Sequence, residues 1–222
     1  VISMLGDMIS ILTGAVLAEQ MKGRTTAALT WIGDGGTSTG AFHEGFNLAC
    51  VLKAPLVVIV ENNQYAYSTP TGAQFAVDPV ERADAYGFPG ISVDGNDPEA
   101  MFEATRQARE RALAGEGPTL LEAVTMRMHG HAAHDDMKYV PKEQVEEWRA
   151  KDPIDRQVRR LEALGVDVQA VRDEVKATID AAVEQALTSP MPDPNTATHR
   201  LFADEPALLE DGEAPWSGFK GQ

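Results

Sequence analysis

Two uninterrupted apolar runs of strand length, "TTAALTWI" ending at Gly33 and "APLVVIVE" ending at Glu61, flank one amphipathic stretch, "TGAFHEGFNLACVLK". A run without polar alternation reads as a strand buried on both faces, the condition of parallel sheets. Between the runs, Phe42, Phe46 and Ala49 repeat at helical spacing. Strand, helix, strand in this order requires a crossover, and crossovers are right-handed. "GISVDG" and "GPTLLEAVTMR" supply a third and a fourth strand. "SILTGAVLAEQMKG" predicts a helix with Ile11, Ala15 and Leu17–Ala18 on one side, closed by Gly23. "NDPEAMFEATRQARERALAG" predicts another, with Asp97 as N-cap, Pro98 in the first turn and Gly115 beyond the end. The expected class is α/β: a doubly wound, mainly parallel sheet with helices on both faces.

After Arg127 the pattern changes. "MHGHAAHDDMKYVP" is polar, rich in histidine and acid, and predicts a long loop with little to fix it. Two helices follow, one carrying Ile154, Val158, Leu161 and Leu164, the other Val171, Val175, Ile179, Val183 and Leu187. From Ser189 the chain is rich in proline and acid and reads as an extended tail. Three regions are expected: a ligand-binding domain over 1–150, helices over 151–188 and the tail over 189–222. The net charge of −15 argues against nucleic acid or an anionic membrane as partner. No apolar run approaches ~20 residues, so no membrane span is expected. A single Cys50 leaves no internal disulfide and suits a reducing cytoplasm. The start at Val1 has no initiator methionine and no basic n-region. It predicts a chain that lacks its first part rather than one with a signal peptide.

The chemistry gathers at the ends of the first two strands. Ligands of open parallel sheets bind at the carboxyl ends of strands. Asp34 follows the first strand, between Gly33 and Gly35–Gly36, and Asn62–Asn63 follow the second. Glycines after a strand let backbone N–H groups approach a phosphate, and the helix starting near Thr39–Gly40 adds its positive end. A carboxylate in the same turn would repel that phosphate unless a divalent metal stood between them. Asp34 offers a carboxylate and Asn63 an amide oxygen, both suited to Mg²⁺. Taken singly, a "GDG" turn and an "NN" after a strand are ordinary turn chemistry. Their pairing across one strand–helix–strand unit points to a metal-bridged diphosphate. There is no G-x-x-x-x-G-K-[ST], and no G-x-G-x-x-G follows the first strand.

The segment "GDGGTSTGAFHEGFNLACVLKAPLVVIVENNQYAYST", with "HGHAAHDDMKYVPKEQVEEWRAKDPI" further on, resembles the alpha chain of the decarboxylating component of 2-oxo-acid dehydrogenase complexes. That family includes pyruvate, branched-chain 2-oxo-acid and acetoin dehydrogenases. The resemblance implies thiamine diphosphate and Mg²⁺ as cofactors. It makes Asp34 and Asn63 side-chain ligands of the metal and the carbonyl of Tyr65 a third. It sets Gly33, Gly35 and Gly36 at the diphosphate, and the backbone of Ser3 and Leu5 at the aminopyrimidine. His131 falls on the family's active-site histidine, suited to orient the reacting group and to assist transfer to a lipoyl group. Ala132 stands where mitochondrial relatives have a phosphorylatable serine. His129, His131, His134, Asp135 and Asp136 are also ligand types for zinc, although their spacing matches no usual zinc pattern. For His43 and His134 a structural role stands beside a functional one.

The implied function is that of an alpha subunit: oxidative decarboxylation of a 2-oxo acid with acyl transfer to a lipoyl-bearing acyltransferase component. Acetoin dehydrogenase and a non-catalytic assembly subunit are the alternatives. In this family the glutamate that activates the cofactor lies on a beta chain, so Glu44 is read as structural or interfacial. The expected particle is an alpha-two beta-two heterotetramer. Its interfaces are expected to use part of the apolar surface of Ile11, Leu12, Ala15, Val16 and Ala18, and of Phe42 and Phe46 with Gly45 and Ala49.

Overall fold

Four parallel strands, β1 (Ala28–Gly33), β2 (Leu56–Asn62), β5 (Gly90–Asp94) and β6 (Thr119–Val124), form one sheet in the order β1-β2-β6-β5. This computed structural model describes residues 4–198. A two-stranded antiparallel hairpin, β3 (Tyr65–Ala66) with β4 (Thr69–Pro70), stands just beyond β2. The four predicted strands are all present, in parallel register, and helices cover both faces.

Side chains alternate across the sheet as the pleat requires. Leu56, Val58 and Val60 of β2 face one side, where they pack with Ile32, Leu120 and the helices α1 (Asp7–Met21), α2 (Gly40–Val51) and α3 (Pro79–Ala85). Val57 and Ile59 face the other side and meet Leu121, Ala123 and Ala108 of α4 (Pro98–Leu113). Buried on both faces, β2 needed the continuous apolar run that the sequence shows. The α4 start is as predicted: Asp97 Oδ1 accepts from the Glu99 and Ala100 N–H groups at 3.1 and 3.3 Å. Arg156 and Arg160 of α6 (Pro153–Ala163) grip the same carboxylate, and they hold its pKa well below the usual range.

The chain divides into two compact units, Val1–Val166 and Asp167–Gln222. The first also contains α5 (Lys142–Arg149), and a small apolar cluster formed by Tyr65, Met126 and Val140 with Val145 and Trp148 of α5. The described part of the second holds α7 (Val168–Thr188), whose Val171, Val175, Ile179 and Val183 are exposed, and a short 3-10 turn at Pro194–Thr198. Of the expected tail, residues 199–222 lie outside the described residues.

One expectation about surfaces is corrected and another is narrowed. Phe42, Phe46 and Ala49 are fully buried, and Gly45 is buried with them against α1, so that face of α2 is core and not interface. On α1 the buried residues are Ile9, Thr13 and Val16, while Ile11, Ala15 and Ala18 are exposed. The helix is apolar almost all round, so its period did not single out the inner side.

A Cβ on Gly45 would lie 2.8 Å from Ser10 Oγ and 3.2 Å from Ile9 Cβ, whereas one on Gly14 would meet nothing within 4 Å. Gly45→Val is therefore expected to destabilise the chain by about 2 kcal/mol or more through overpacking. Gly14→Ala, on the exposed side of α1, is expected to stabilise it by roughly 0.5–1 kcal/mol. Urea midpoints of the two variants check this pair.

Candidate active site

The register of β1 with β2 pairs Ile32 with Val60 and Gly33 with Glu61, so Asp34 and Asn62–Asn63 leave the sheet side by side. Neighbouring strands lie about 4.8 Å apart, which brings the two predicted positions to one edge. Asp34 opens a 3-10 turn, Asp34–Ser38, and is buried at 2% exposure. Thr37 Oγ1 donates to the Asp34 carbonyl at 2.7 Å, and Arg82 of α3 donates to the Thr37 carbonyl at 3.0 Å. The turn is thus clamped from α3 before α2 begins. At the start of α2, Thr39 accepts from the Phe42 N–H.

The carboxylate of Asp34 accepts a hydrogen bond from Gln74 Nε2 at 2.8 Å. A buried carboxylate whose partner is a neutral amide is short of positive charge. The same Nε2 also donates to the Thr69 carbonyl at 2.9 Å, which fixes the orientation of the amide. Gln74 Oε1 is buried and has no hydrogen-bond partner among the described residues. The Gly35 backbone lies against the hairpin: a Cβ there would come within 2.5 Å of Ala66 Cβ and 3.7 Å of Gln74 Oε1. Gly36 is tight for another reason, since a Cβ would meet the Ile32 side chain at 2.7 Å. Gly33 opens on free space. Of the three glycines, two are demanded by close contacts inside the protein itself. Leu5 stands beside Gly36, whereas Ser3 lies outside the described residues.

The turn after β2 is tightly specified. Asn62 is buried; its Nδ2 donates to Glu122 Oε1 at 2.7 Å and its Oδ1 accepts from the Gln64 N–H at 3.3 Å. Gln64 and Tyr67 both adopt left-handed backbone, φ 76° and 53°. Non-glycine residues in that region cost of order 1–3 kcal/mol each, and such strain gathers at functional sites. Asn63 is half-buried, its Oδ1 at 3.4 Å from the Tyr65 N–H. It also borders a crevice of about 360 Å³ shared with Trp31, Glu61, Gly95 and Arg127. The Tyr65 carbonyl accepts from Arg127 Nη1 at 3.2 Å and keeps its second lone pair.

Glu122 is a buried acid beside the site that the reading of motifs missed. It is 3% exposed, and burial pushes its carboxyl pKa up while the Asn62 amide pulls it down. The visible signal was a lone acid inside the buried run "TLLEAV".

The histidine loop is better fixed than its composition suggested. Asp135 accepts from the His131 N–H at 2.7 Å, the Met137 N–H at 3.0 Å and the Tyr139 hydroxyl at 2.6 Å. Tyr139, His131 and Met137 together hold the Asp135 carboxyl at about 2. Arg127 joins the loop to the hairpin: its guanidinium donates to the carbonyls of Tyr65, Tyr67 and His129 and to the Tyr139 hydroxyl. His131 is exposed, its ring edge-on to Tyr67 at 4.9 Å between centroids. His129 supports the loop through its carbonyl, and His134 is exposed. His43 Nδ1 bonds the Tyr86 hydroxyl at 2.6 Å, a structural role. Among the described residues no group of three or more His, Cys, Asp or Glu is placed to hold a metal, so the zinc ligand types are not gathered.

The oxygens beyond the strand ends are of the type a hard divalent cation takes: the Asp34 carboxylate, the Asn63 amide and the Tyr65 carbonyl. The buried, unpartnered Gln74 Oε1 and the uncompensated Asp34 are what such an ion would satisfy.

Residues 2–195 match the family described as dehydrogenase E1 component. The chain is 38% identical over 205 residues to the pyruvate dehydrogenase E1 component subunit alpha of Staphylococcus aureus (strain Mu50), covering 89% of this chain and 55% of that one. It is 41% identical over 180 residues to the subunit of the same name from Staphylococcus epidermidis, covering 78% and 49%. The chain spans about half the length of these curated relatives. A solved benzoylformate decarboxylase from Polynucleobacter necessarius aligns at TM-score 0.42 and 20% identity, over 55% of this chain and 24% of that one, too slight a likeness to add to the family match.

A carboxylate held at about 2, against an ordinary 3.8, tethers fully above the ordinary value and lets go as pH falls through the lower one. Hydrogen exchange at the His131 and Met137 amides is therefore expected to keep its protection down to about pH 4 and to lose it toward about pH 2. Asp135→Asn should show the loosened loop already at neutral pH, as faster proteolysis between Met128 and Tyr139, with the unfolding midpoint of the sheet unchanged.

Proposed function

Because the chain belongs to the dehydrogenase E1 component family, we propose that it acts as the alpha subunit of a thiamine-diphosphate-dependent 2-oxo-acid dehydrogenase. The observation that carries this reading is the buried Asp34 carboxylate, set against the Tyr65–Ala66 hairpin and partnered by an amide. Residues 1–150 form the domain that binds diphosphate and Mg²⁺, residues 151–188 the helices that follow it, and 189–222 the tail. Pyruvate is the first substrate to test, since the relatives are named for it. The reaction is oxidative decarboxylation with acyl transfer to a lipoyl group of an acyltransferase component.

Asp34, Asn63 and the Tyr65 carbonyl hold Mg²⁺, and the backbone at Gly33, Gly35 and Gly36 faces the diphosphate. The backbone of Leu5 meets the aminopyrimidine. Bound there, thiamine diphosphate supplies a carbon nucleophile for the oxo group and a sink for the electron pair that decarboxylation leaves behind. The chain's own work is to bind and to orient. Arg127 and Asp135 fix the loop so that His131 is presented at its rim, free to accept or give a proton during transfer to the lipoyl acceptor. A beta chain completes the site in an alpha-two beta-two particle, and the exposed Ile11, Ala15 and Ala18 of α1 contribute to its interfaces. The particle works in the cytoplasm; among the described residues no helix is long and apolar enough to cross a membrane.

With the beta chain present, Asp34→Ala and Asn63→Ala should each weaken Mg²⁺-dependent binding of thiamine diphosphate by about 100-fold or more, because a diphosphate then meets amide dipoles without a cation. Calorimetric titration reads this directly, and native affinity in both variants would sink the cation site. His131→Ala should lower the rate of lipoyl reduction by about 10²-fold, with cofactor affinity nearly unchanged. A panel of 2-oxo acids and acetoin, assayed with a lipoyl acceptor, identifies the substrate; turnover of none of them by the assembled particle would refute the enzymatic reading.

A further inference from the structure

Gln74 lies in none of the motifs that drew attention to this region, yet it touches both halves of the site. It follows the short 3-10 turn Thr71–Ala73 after β4, with Gln74 N donating to the Thr71 carbonyl at 2.9 Å. Its side chain turns back under the hairpin. Nε2 is shared between Asp34 Oδ2 and the Thr69 carbonyl, and this leaves Oε1 on the opposite side of the amide. That oxygen is closed to solvent and, among the described residues, accepts from no group. Leaving a buried acceptor unsatisfied carries an uncompensated desolvation cost. A structural amide could avoid this cost by packing as a leucine or a methionine. Gln74 Oε1 would also lie within 3.7 Å of a Cβ on Gly35, the residue next to the carboxylate in the turn.

We propose that Gln74 is a positioning residue of the cation site, anchoring the Asp34 carboxylate through Nε2 and offering Oε1 as the acceptor for a donor of the bound ion's hydration shell. This rests on the cation site argued above. A carboxylate that ligates a metal is itself held by a hydrogen bond, and losing such an outer partner typically weakens metal binding by about 10–100-fold. A hydrated divalent cation beside Asp34 carries water hydrogens, which are the donors that Oε1 lacks. The two functions of the amide are complementary: one end fixes the ligand, the other receives the ion's water.

The test uses the full chain assembled with its beta chain, with Mn²⁺ as the probe and saturating thiamine diphosphate, read by electron paramagnetic resonance. Gln74→Leu removes both ends of the amide and should weaken Mn²⁺ by about 10–100-fold. Gln74→Glu cannot donate to Asp34 but keeps an oxygen toward the ion's water, so it should weaken Mn²⁺ by clearly less than Gln74→Leu does, by about threefold to tenfold. Without metal, Gln74→Glu sets two carboxylates side by side. It should therefore melt below the native protein. Equal weakening in the two variants would reduce Gln74 to a packing group and overturn the proposal, as would native affinity in Gln74→Leu. Asp34→Ala, run in parallel, separates the two ideas. Mn²⁺ binding that survives Asp34→Ala would overturn the cation site itself. Its loss there, beside native affinity in Gln74→Leu, would overturn the role of Gln74 alone.

Discussion

The hydrogen bond from Asn62 to Glu122 joins the ends of the two central strands, and the site is arranged around it. Both side chains lie on the face covered by α1, α2 and α3, where water does not compete. Against the rise that burial imposes on the Glu122 carboxyl pKa, the Asn62 amide and the Val80 backbone N–H at the start of α3 both lower it. From α3, Arg82 reaches across to Thr37, in the turn that presents Asp34. One buried acid therefore sets where β2 releases the chain toward Asn63 and Tyr65, and where the Asp34 turn is clamped. Removing it would leave the Asn62 amide unpaired in the interior, a cost of roughly 1–3 kcal/mol before any effect on the site.

Much of the sheet was legible because burial on both faces leaves no freedom in composition. β2 had to be apolar along nearly its whole length, β6 nearly so apart from Glu122, and α4 announced itself with Asp97, Pro98 and Gly115. What stayed hidden was short or undirected. α3 runs for seven residues, too few for a period to show, and the hairpin strands have two residues each. α5 carries its Val145 and Trp148 among charges, and they pack on a satellite cluster rather than on the sheet. The inner side of α1 could not be chosen from a helix that is apolar nearly all round.

The place where the candidate residues gather was legible in the sequence, and their surroundings less so. Asp34 and the Tyr65–Ala66 hairpin do come together, as the strand ends implied. The glycines told where the backbone must come close, but not to what: Ala66 and Ile32 claim the space at Gly35 and Gly36. Gln74 gave no signal, since a glutamine in a loop is ordinary and only its fold-back beneath the hairpin makes it notable. The loop's polarity suggested looseness because composition does not reveal that one aspartate can gather three donors.

Arg127 has a consequence for how this region can open. Its four hydrogen bonds are spread over the hairpin carbonyls on one side and the histidine loop on the other. Neither segment can swing out while keeping its share of the guanidinium, and a lysine, a point charge without the planar fork, could not serve both. The hairpin and the loop are thereby made a single cooperative unit, with one opening free energy in place of two independent ones. Ordering of either segment by a ligand then propagates to the other, so that a bound cofactor at Tyr65 and a visiting acceptor at His131 would sense each other through one side chain.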